Sequence, residues 1–288
     1  MKTARAFPGW IALLKESAAS WNAHHAPKMG AALAYYTAFS LAPLITLVLS
    51  LASIAVKRDV AARGMVEQIS NLVGASGGEV VQEILRHAGT IHALSWGTAV
   101  SLLLLLVSAS GAFGELQESL NLIWEVPPEK HAGWRALVKE RLLSFSMVFV
   151  LGFFMLTSLL VSTFVAAASR TLAKHVSIVG AEALNNLVSL AVITALFATL
   201  YRTLPAVRLA WRDVLPGALL AAFLFIVGKF LLGWYVAHSS FSSSYGAAGS
   251  FVVILFWVFY SAQILYFGAE FTRTWARHRG AGKRAAAR

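Results

Sequence analysis

The sequence predicts an all-α, polytopic membrane protein with six transmembrane helices. Three observations lead to this fold class: 58% of the 288 residues are hydrophobic, only 13% are charged, and the mean hydropathy is +0.68. A soluble chain carries about a quarter charged residues, and its apolar runs are shorter. The chain has no cysteine, which excludes disulfides, thiol nucleophiles and thiolate metal sites.

The first predicted element is an amphipathic helix that lies along the membrane surface before the first span. Its apolar face is Trp10, Leu13, Leu14, Ala18 and Trp21, and its polar face is Lys15, Glu16, Ser17 and Asn22. Pro27 follows closely, and the residue before a proline is disfavoured in helix. We therefore expect a break at His25-Ala26-Pro27.

Six segments reach the roughly 20 apolar residues that a membrane span requires. They are residues 31–56, 93–113, 143–168, 178–201, 214–237 and 246–271. They form a single membrane domain over 1–288. Asp213 is expected to be the N-cap of the fifth span, which places Pro216 in its first turn. Small residues four apart, such as Gly217 and Ala221, predict close helix packing.

The parts outside the spans are short. In the external loop 57–92, apolar spacing predicts two short amphipathic helices, separated by residues 74–78. This loop is either a packing hairpin or a surface for a partner. The tail 272–288 is basic and suits anionic lipid headgroups.

Orientation follows from the positions of Lys and Arg. Most of the 24 basic residues fall in the N-terminal arm, the second and fourth loops and the tail, which all lie on one side of the membrane. This distribution predicts that both termini are cytoplasmic. It also accounts for the net charge of +11 without a nucleic-acid partner.

Several blocks, in this order, resemble the YihY family of bacterial inner-membrane proteins, also called the virulence factor BrkB family. The blocks are Ala31–Leu44, Ser108–Trp124, Leu200–Pro205, Asp213–Ala222, Phe225–Tyr235 and Ser243–Arg273. The resemblance implies a six-span inner-membrane protein with both termini inside, and it implies no particular activity. An older label of the family is ribonuclease BN. Metal-dependent nuclease chemistry needs clustered ligands, but the eight histidines are scattered and no HxH or HExxH spacing occurs, so we do not expect a ribonuclease.

Ionisable residues inside spans are the candidate site residues, because they are costly in a bilayer. Lys229 lies about 12 Å below the outer end of the fifth span, too deep to reach the surface comfortably. We expect it to face Glu182, Asn185 and Asn186 of the fourth span in an outward-opening pocket. The alternative is a buried pair that only locks two helices together.

Other polar positions have weaker signals. Glu115, Glu118 and Asn121 share one helical face after the second span, as either an inner gate or a solvated face. Pro43 is expected to kink the first span. Glu270 and Arg273 are spaced to pair on the last helical turn.

The function that fits these features is transport or export of a small or amphiphilic solute, and an anionic one would suit Lys229. The alternative is a non-transporting scaffold that supports the cell envelope. No nucleophile with an adjacent base is recognisable, so we expect no enzyme, and we predict no cofactor and no metal. The expected partners are the lipid bilayer, anionic lipid headgroups and a small-molecule substrate.

Overall fold

The computed structural model describes residues 8–55, 57–73, 75–88, 111–127, 178–207, 209–238 and 247–279. Within these ranges the chain forms eight helices and no strand, which confirms the all-α class for this part. The helices are α1 Trp10–Ala23, α2 Ala26–Ala55, α3 Arg58–Val73, α4 Ala75–Ala88, α5 111–123, α6 Ile178–Thr203, α7 Trp211–His238 and α8 Ala247–His278. The predicted span 143–168, and all but the last three residues of 93–113, lie outside the described residues.

The chain divides into two compact units. One consists of Met1–Ala26, Gln117–Leu224 and Ile264–Arg288, and the other of Pro27–Leu116 and Phe225–Gln263. All contacts described below join residues of the same unit.

The predicted break between α1 and α2 is confirmed. α1 ends at Ala23 and α2 begins at Ala26, so Pro27 lies in the first helical turn, where its missing N–H is no loss. His25 between them has φ 54°, in the left-handed region, and its N–H donates to the Asn22 carbonyl at 3.1 Å. A left-handed residue at this position is a common way to end a helix.

Helices α7 and α8 are long and apolar enough to cross a membrane. The stretches are Trp211–Leu232, with a mean hydropathy of 2.2, and Phe251–His278, with a mean hydropathy of 1.9; in each, 33% of the most apolar window is buried inside the protein. A core helix of a soluble protein would be mostly buried. The large exposed side chains of α7 recur at helical spacing: Leu215, Leu219, Phe223, Phe230, Leu231 and Trp234. Such a stripe is suited to lipid contact.

The opposite face of α7 carries small residues and packs closely on α8. A Cβ added at Gly217 would overlap the Thr272 hydroxyl and lie 2.5 Å from the Gly268 carbonyl oxygen. Ala221 is fully buried beside Gly268. The predicted packing role of Gly217 and Ala221 is therefore confirmed.

The expected start of α7 is wrong by a few residues. The helix begins at Trp211, and the Ala210 carbonyl accepts from the Asp213 N–H at 2.9 Å, so Asp213 lies in the first turn and is not the N-cap. Pro216 is consequently inside the helix. It cannot donate to the carbonyl of Arg212, four residues earlier. That carbonyl instead has the Arg279 guanidinium 3.5 Å away.

The segment predicted as an external loop forms the two predicted short helices, α3 and α4, which pack against each other. The predicted separator 74–78 is wrong in extent, because α4 already begins at Ala75. Gly78 lies inside α4, and a Cβ there would overlap the Ser70 hydroxyl, so this glycine permits a close crossing. An open cleft of about 450 Å³ lies along the hairpin, lined by Arg63 and Arg86 among others.

Candidate functional site

Lys229 lies on an exposed part of α7, next to Phe230, which is 70% exposed. Its ammonium group makes no ion pair or hydrogen bond with any residue whose side chain the structure describes. Its position is nine residues before the end of α7 at His238, or about 14 Å at 1.5 Å per residue. Lys229 is therefore an accessible cation well inside an apolar helix, and it is the first candidate site.

The expected partners of Lys229 lie early in α6. Glu182, Asn185 and Asn186 are helical, as predicted, with a spacing that places them on one face. Their side chains lie outside the described part of the chain. The pocket that combines them with Lys229 therefore stays a prediction.

The residues of the expected inner gate lie on α5. Glu115 is half-buried, Glu118 is exposed, and the Asn121 Oδ1 accepts from the Ala206 N–H at 2.8 Å. Asn121 thus holds the segment that follows α6, and the gate role stays a prediction. Pro43 lies within α2, which is assigned as one helix from Ala26 to Ala55, and the kink also stays a prediction.

A second candidate site, of which the sequence revealed only the Glu270–Arg273 pair, is a buried ionic cluster near the end of α8. Glu270 is fully buried, and its Oε1 lies 2.5 Å from Nδ1 of His24. Its Oε2 lies 3.8 Å from Nη1 of Arg273, which confirms the predicted pair. Arg273 also forms an ion pair with Glu125. We call His24, Glu125, Glu270 and Arg273 the buried cluster.

The end of α5 presents Glu125 to the cluster. Glu125 has φ 51°, its N–H donates to the Leu122 carbonyl at 3.0 Å, and the Val126 N–H donates to the Asn121 carbonyl at 2.9 Å. This pair of bonds is the Schellman motif, in which glycine usually takes the left-handed position. The Arg273 guanidinium beside Glu125 holds the pKa of that carboxyl below its usual value.

Helix α1 docks on α8 and brings His24 to the cluster. The Trp10 ring stacks on Phe271 at 5.9 Å between centroids and approaches Trp275 at 5.5 Å. A second histidine–carboxylate pair joins the same helices, since His278 Nε2 lies 2.8 Å from Glu16 Oε2. Helix α1 therefore contacts α8 through Trp10 and Glu16, and this docking places His24, at the end of α1, next to Glu270.

The prediction for the polar face of α1 is wrong at Ser17. This residue is fully buried on the docked side. Its hydroxyl donates a hydrogen bond to the Leu13 carbonyl at 2.7 Å. The bond to its own helix removes the need for water, so a serine is tolerated there. Ala18, assigned to the apolar face, is exposed.

A chain whose described elements are all helices, and whose long apolar helices expose their large side chains, belongs to the class of helical membrane proteins. More particularly, the chain belongs to the family described as Virulence factor BrkB, whose model matches residues 17–288. This confirms the resemblance found in the sequence.

The curated relatives carry the name UPF0761 membrane protein. The protein from Alkalilimnicola ehrlichii is 32% identical over 266 residues, which cover 88% of this chain and 56% of the relative. The one from Pseudomonas paraeruginosa is 30% identical over 250 residues, 85% of this chain and 58% of the relative. The chain thus spans just over half the length of these relatives. No solved structure matches the chain.

Proposed function

We propose that this protein is a six-span protein of the bacterial inner membrane, with both termini in the cytoplasm, that transports or exports an anionic amphiphile. The observation that carries the proposal is the exposed Lys229 within a helix that is otherwise suited to lipid. Ionisable residues at such depth mark substrate or ion paths in membrane proteins. The protein has no enzymatic activity in this proposal.

The surroundings of Lys229 favour an amphiphile over a small inorganic ion. Phe230, Leu231 and Trp234 are 70%, 60% and 65% exposed on the same helix. A ligand with an anionic group and an acyl or aromatic part would pair with the lysine and cover these side chains.

The rival function is that of a non-transporting envelope scaffold. The scaffold would use the α3–α4 hairpin as its contact surface. The two helices pack against each other, an open cleft lies along them, and Val60 is 52% exposed. Lys229 would then matter only for folding.

Proteoliposomes that contain fluorescent phosphatidylglycerol or fluorescent phosphatidylcholine distinguish the two functions. The assay measures how fast the labelled lipid becomes accessible to a reductant outside the vesicle. We expect the wild type to accelerate movement of the anionic lipid, Lys229→Ala to abolish this movement while remaining inserted, and Lys229→Arg to retain it.

Lys15→Ala is the matched control, since Lys15 is an exposed lysine of α1 outside the predicted spans. It should transport like the wild type. The transport proposal is wrong if the wild type moves neither lipid. It is also wrong if Lys229→Ala lowers the folded yield without changing the flux per folded protein, and that result favours the scaffold function.

A further inference from the structure

We propose that the buried His24–Glu270 pair is a proton-binding site, and that the bound proton keeps α1 docked on α8. The site is a property of the fold and does not depend on the proposed transport.

The first support is the poor solvation of the Glu270 carboxylate. Its side chain has no exposure, its Oε1 contacts His24, and its Oε2 makes no hydrogen bond to any residue of the described ranges. Within the described ranges, the guanidinium nearest to Oε2 is that of Arg273, at 3.8 Å, beyond hydrogen-bonding distance. A buried carboxylate with so few donors is costly as an isolated anion.

The second support is the charge balance of the buried cluster. Two carboxylates, Glu125 and Glu270, face one guanidinium, Arg273, so the cluster carries one excess negative charge while His24 is neutral. One additional proton, shared between imidazole and carboxylate, brings the total to zero. Arg277 of α8 also acts on Glu125; Arg277 is exposed and Glu125 is 68% exposed, so water screens both of these charges, whereas Glu270 has no exposure and its charge is not screened. A buried group of charges is most stable when its net charge is balanced.

The third support is that the proton acceptor lies on the element that docks. His24 follows the last residue of α1, and the left-handed His25 separates α1 from α2. Loss of the proton would leave an excess negative charge where α1 meets α8. Undocking of α1 would relieve it, because water would then reach Glu270.

The proton has a route to solvent. The His24 side chain is 17% exposed, although the carboxylate beneath it has no exposure. His24 is therefore the group through which the site exchanges its proton.

Docking is measured by the accessibility of a single thiol, which the cysteine-free chain permits. Ser17→Cys places it on the buried side of α1, and Ala18→Cys places it on the exposed side of the same helix. The maleimide labelling rate of the chain 1–288 in nanodiscs is measured from about pH 5 to about pH 8. The ratio of the two rates cancels the intrinsic pH dependence of thiol reactivity.

We expect the ratio for position 17 to position 18 to rise about fivefold or more as the pH increases, which corresponds to about 1 kcal/mol of weakened docking. Two variants should behave oppositely. Glu270→Gln removes the excess charge, so the ratio should stay low at every pH. His24→Gln removes the proton acceptor and keeps the charge, so the ratio should be high at every pH.

His278→Gln is the matched control, because the His278–Glu16 pair joins the same helices but is partly exposed. It should keep the wild-type transition, since solvent screens exposed pairs. A ratio that does not change with pH in the wild type overturns the proposal. So does Glu270→Gln with a ratio as high as that of His24→Gln, because that result means that the pair only holds the helices together.

Discussion

Gly217→Ala should destabilise the protein although alanine is the better helix former. The added Cβ would lie 2.5 Å from the Gly268 carbonyl oxygen and overlap the Thr272 hydroxyl. The hydroxyl cannot rotate away freely, because Thr272 is fully buried and donates to the Gly268 carbonyl at 2.8 Å. To reach an ordinary carbon–oxygen separation, α7 and α8 must separate locally by about 1 Å.

The magnitude follows from two opposing terms. Overpacking a tight contact costs about 1–3 kcal/mol, and a gap of up to about 1 Å forfeits up to about half of the dispersion energy of the neighbouring atoms. Replacing glycine by alanine in a helix returns about 1 kcal/mol. The net loss for Gly217→Ala is then up to about 2 kcal/mol, and each kcal/mol corresponds to about 2–4 °C in Tm for a domain of this size.

The assay is thermal unfolding in detergent, followed by far-ultraviolet circular dichroism. Gly114→Ala is the matched control, because Gly114 is also helical but a Cβ there meets no heavy atom of the described residues within 4 Å. It should gain up to about 1 kcal/mol from helix propensity alone. Equal increases in Tm for both variants would refute the close contact between α7 and α8.

Three further predictions use the same measurement of Tm. Asn121→Ala should lose about 1 kcal/mol, because the Ala206 N–H loses its acceptor, while Asn121→Asp keeps an acceptor oxygen and should stay near the wild type; equal losses would contradict this. Glu125 has a lowered pKa, so its pairing with Arg273 contributes above the ordinary carboxyl pKa and is lost as the pH falls through the lowered value. Because Glu125 is 68% exposed, Glu125→Gln should remove less than about 1 kcal/mol at pH 7 and show a shallower acid loss than the wild type, and parallel pH profiles would oppose that reasoning. Pro216→Ala supplies the N–H that the carbonyl four residues earlier lacks, so its Tm should rise, and a fall would mean that the proline is needed there.

The sequence predicts helices well here because burial in lipid and burial in protein both select long apolar segments. Residues 214–237 and 246–271 were expected as spans; α7 covers the first, and α8 covers the second from Ala247 onward. The α3–α4 hairpin was equally visible from amphipathic spacing. Boundaries were less accurate: Asp213 has the residue type of an N-cap, but α7 starts two residues earlier.

The buried cluster was only half predictable. The pair of Glu270 with Arg273 follows from their spacing of three on one helix. The contact between His24 and Glu270 joins residues 246 positions apart, and no local pattern encodes such a pairing. Two signals were available in the sequence. Glu270 is an acidic residue in a long apolar stretch and requires a partner, and His24 lies at the predicted break between two helices. Ser17 was misplaced because polarity was taken to mean solvent, whereas its hydroxyl bonds within α1.

At the end of α5, two requirements compete at position 125: the left-handed backbone favours glycine, and Arg273 needs a carboxylate partner. Glycine would fit the left-handed position of its Schellman motif without strain, whereas another residue gives up about 1 kcal/mol or more. Arg273 is only 5% exposed, and without Glu125 its nearest described carboxylate oxygen would be Glu270 Oε2 at 3.8 Å. An under-compensated buried cation costs several kcal/mol. Glu125 gives Arg273 a closer ion-pair partner, which a glycine could not supply, and this contact is the physical reason for a glutamate where backbone geometry alone favours glycine.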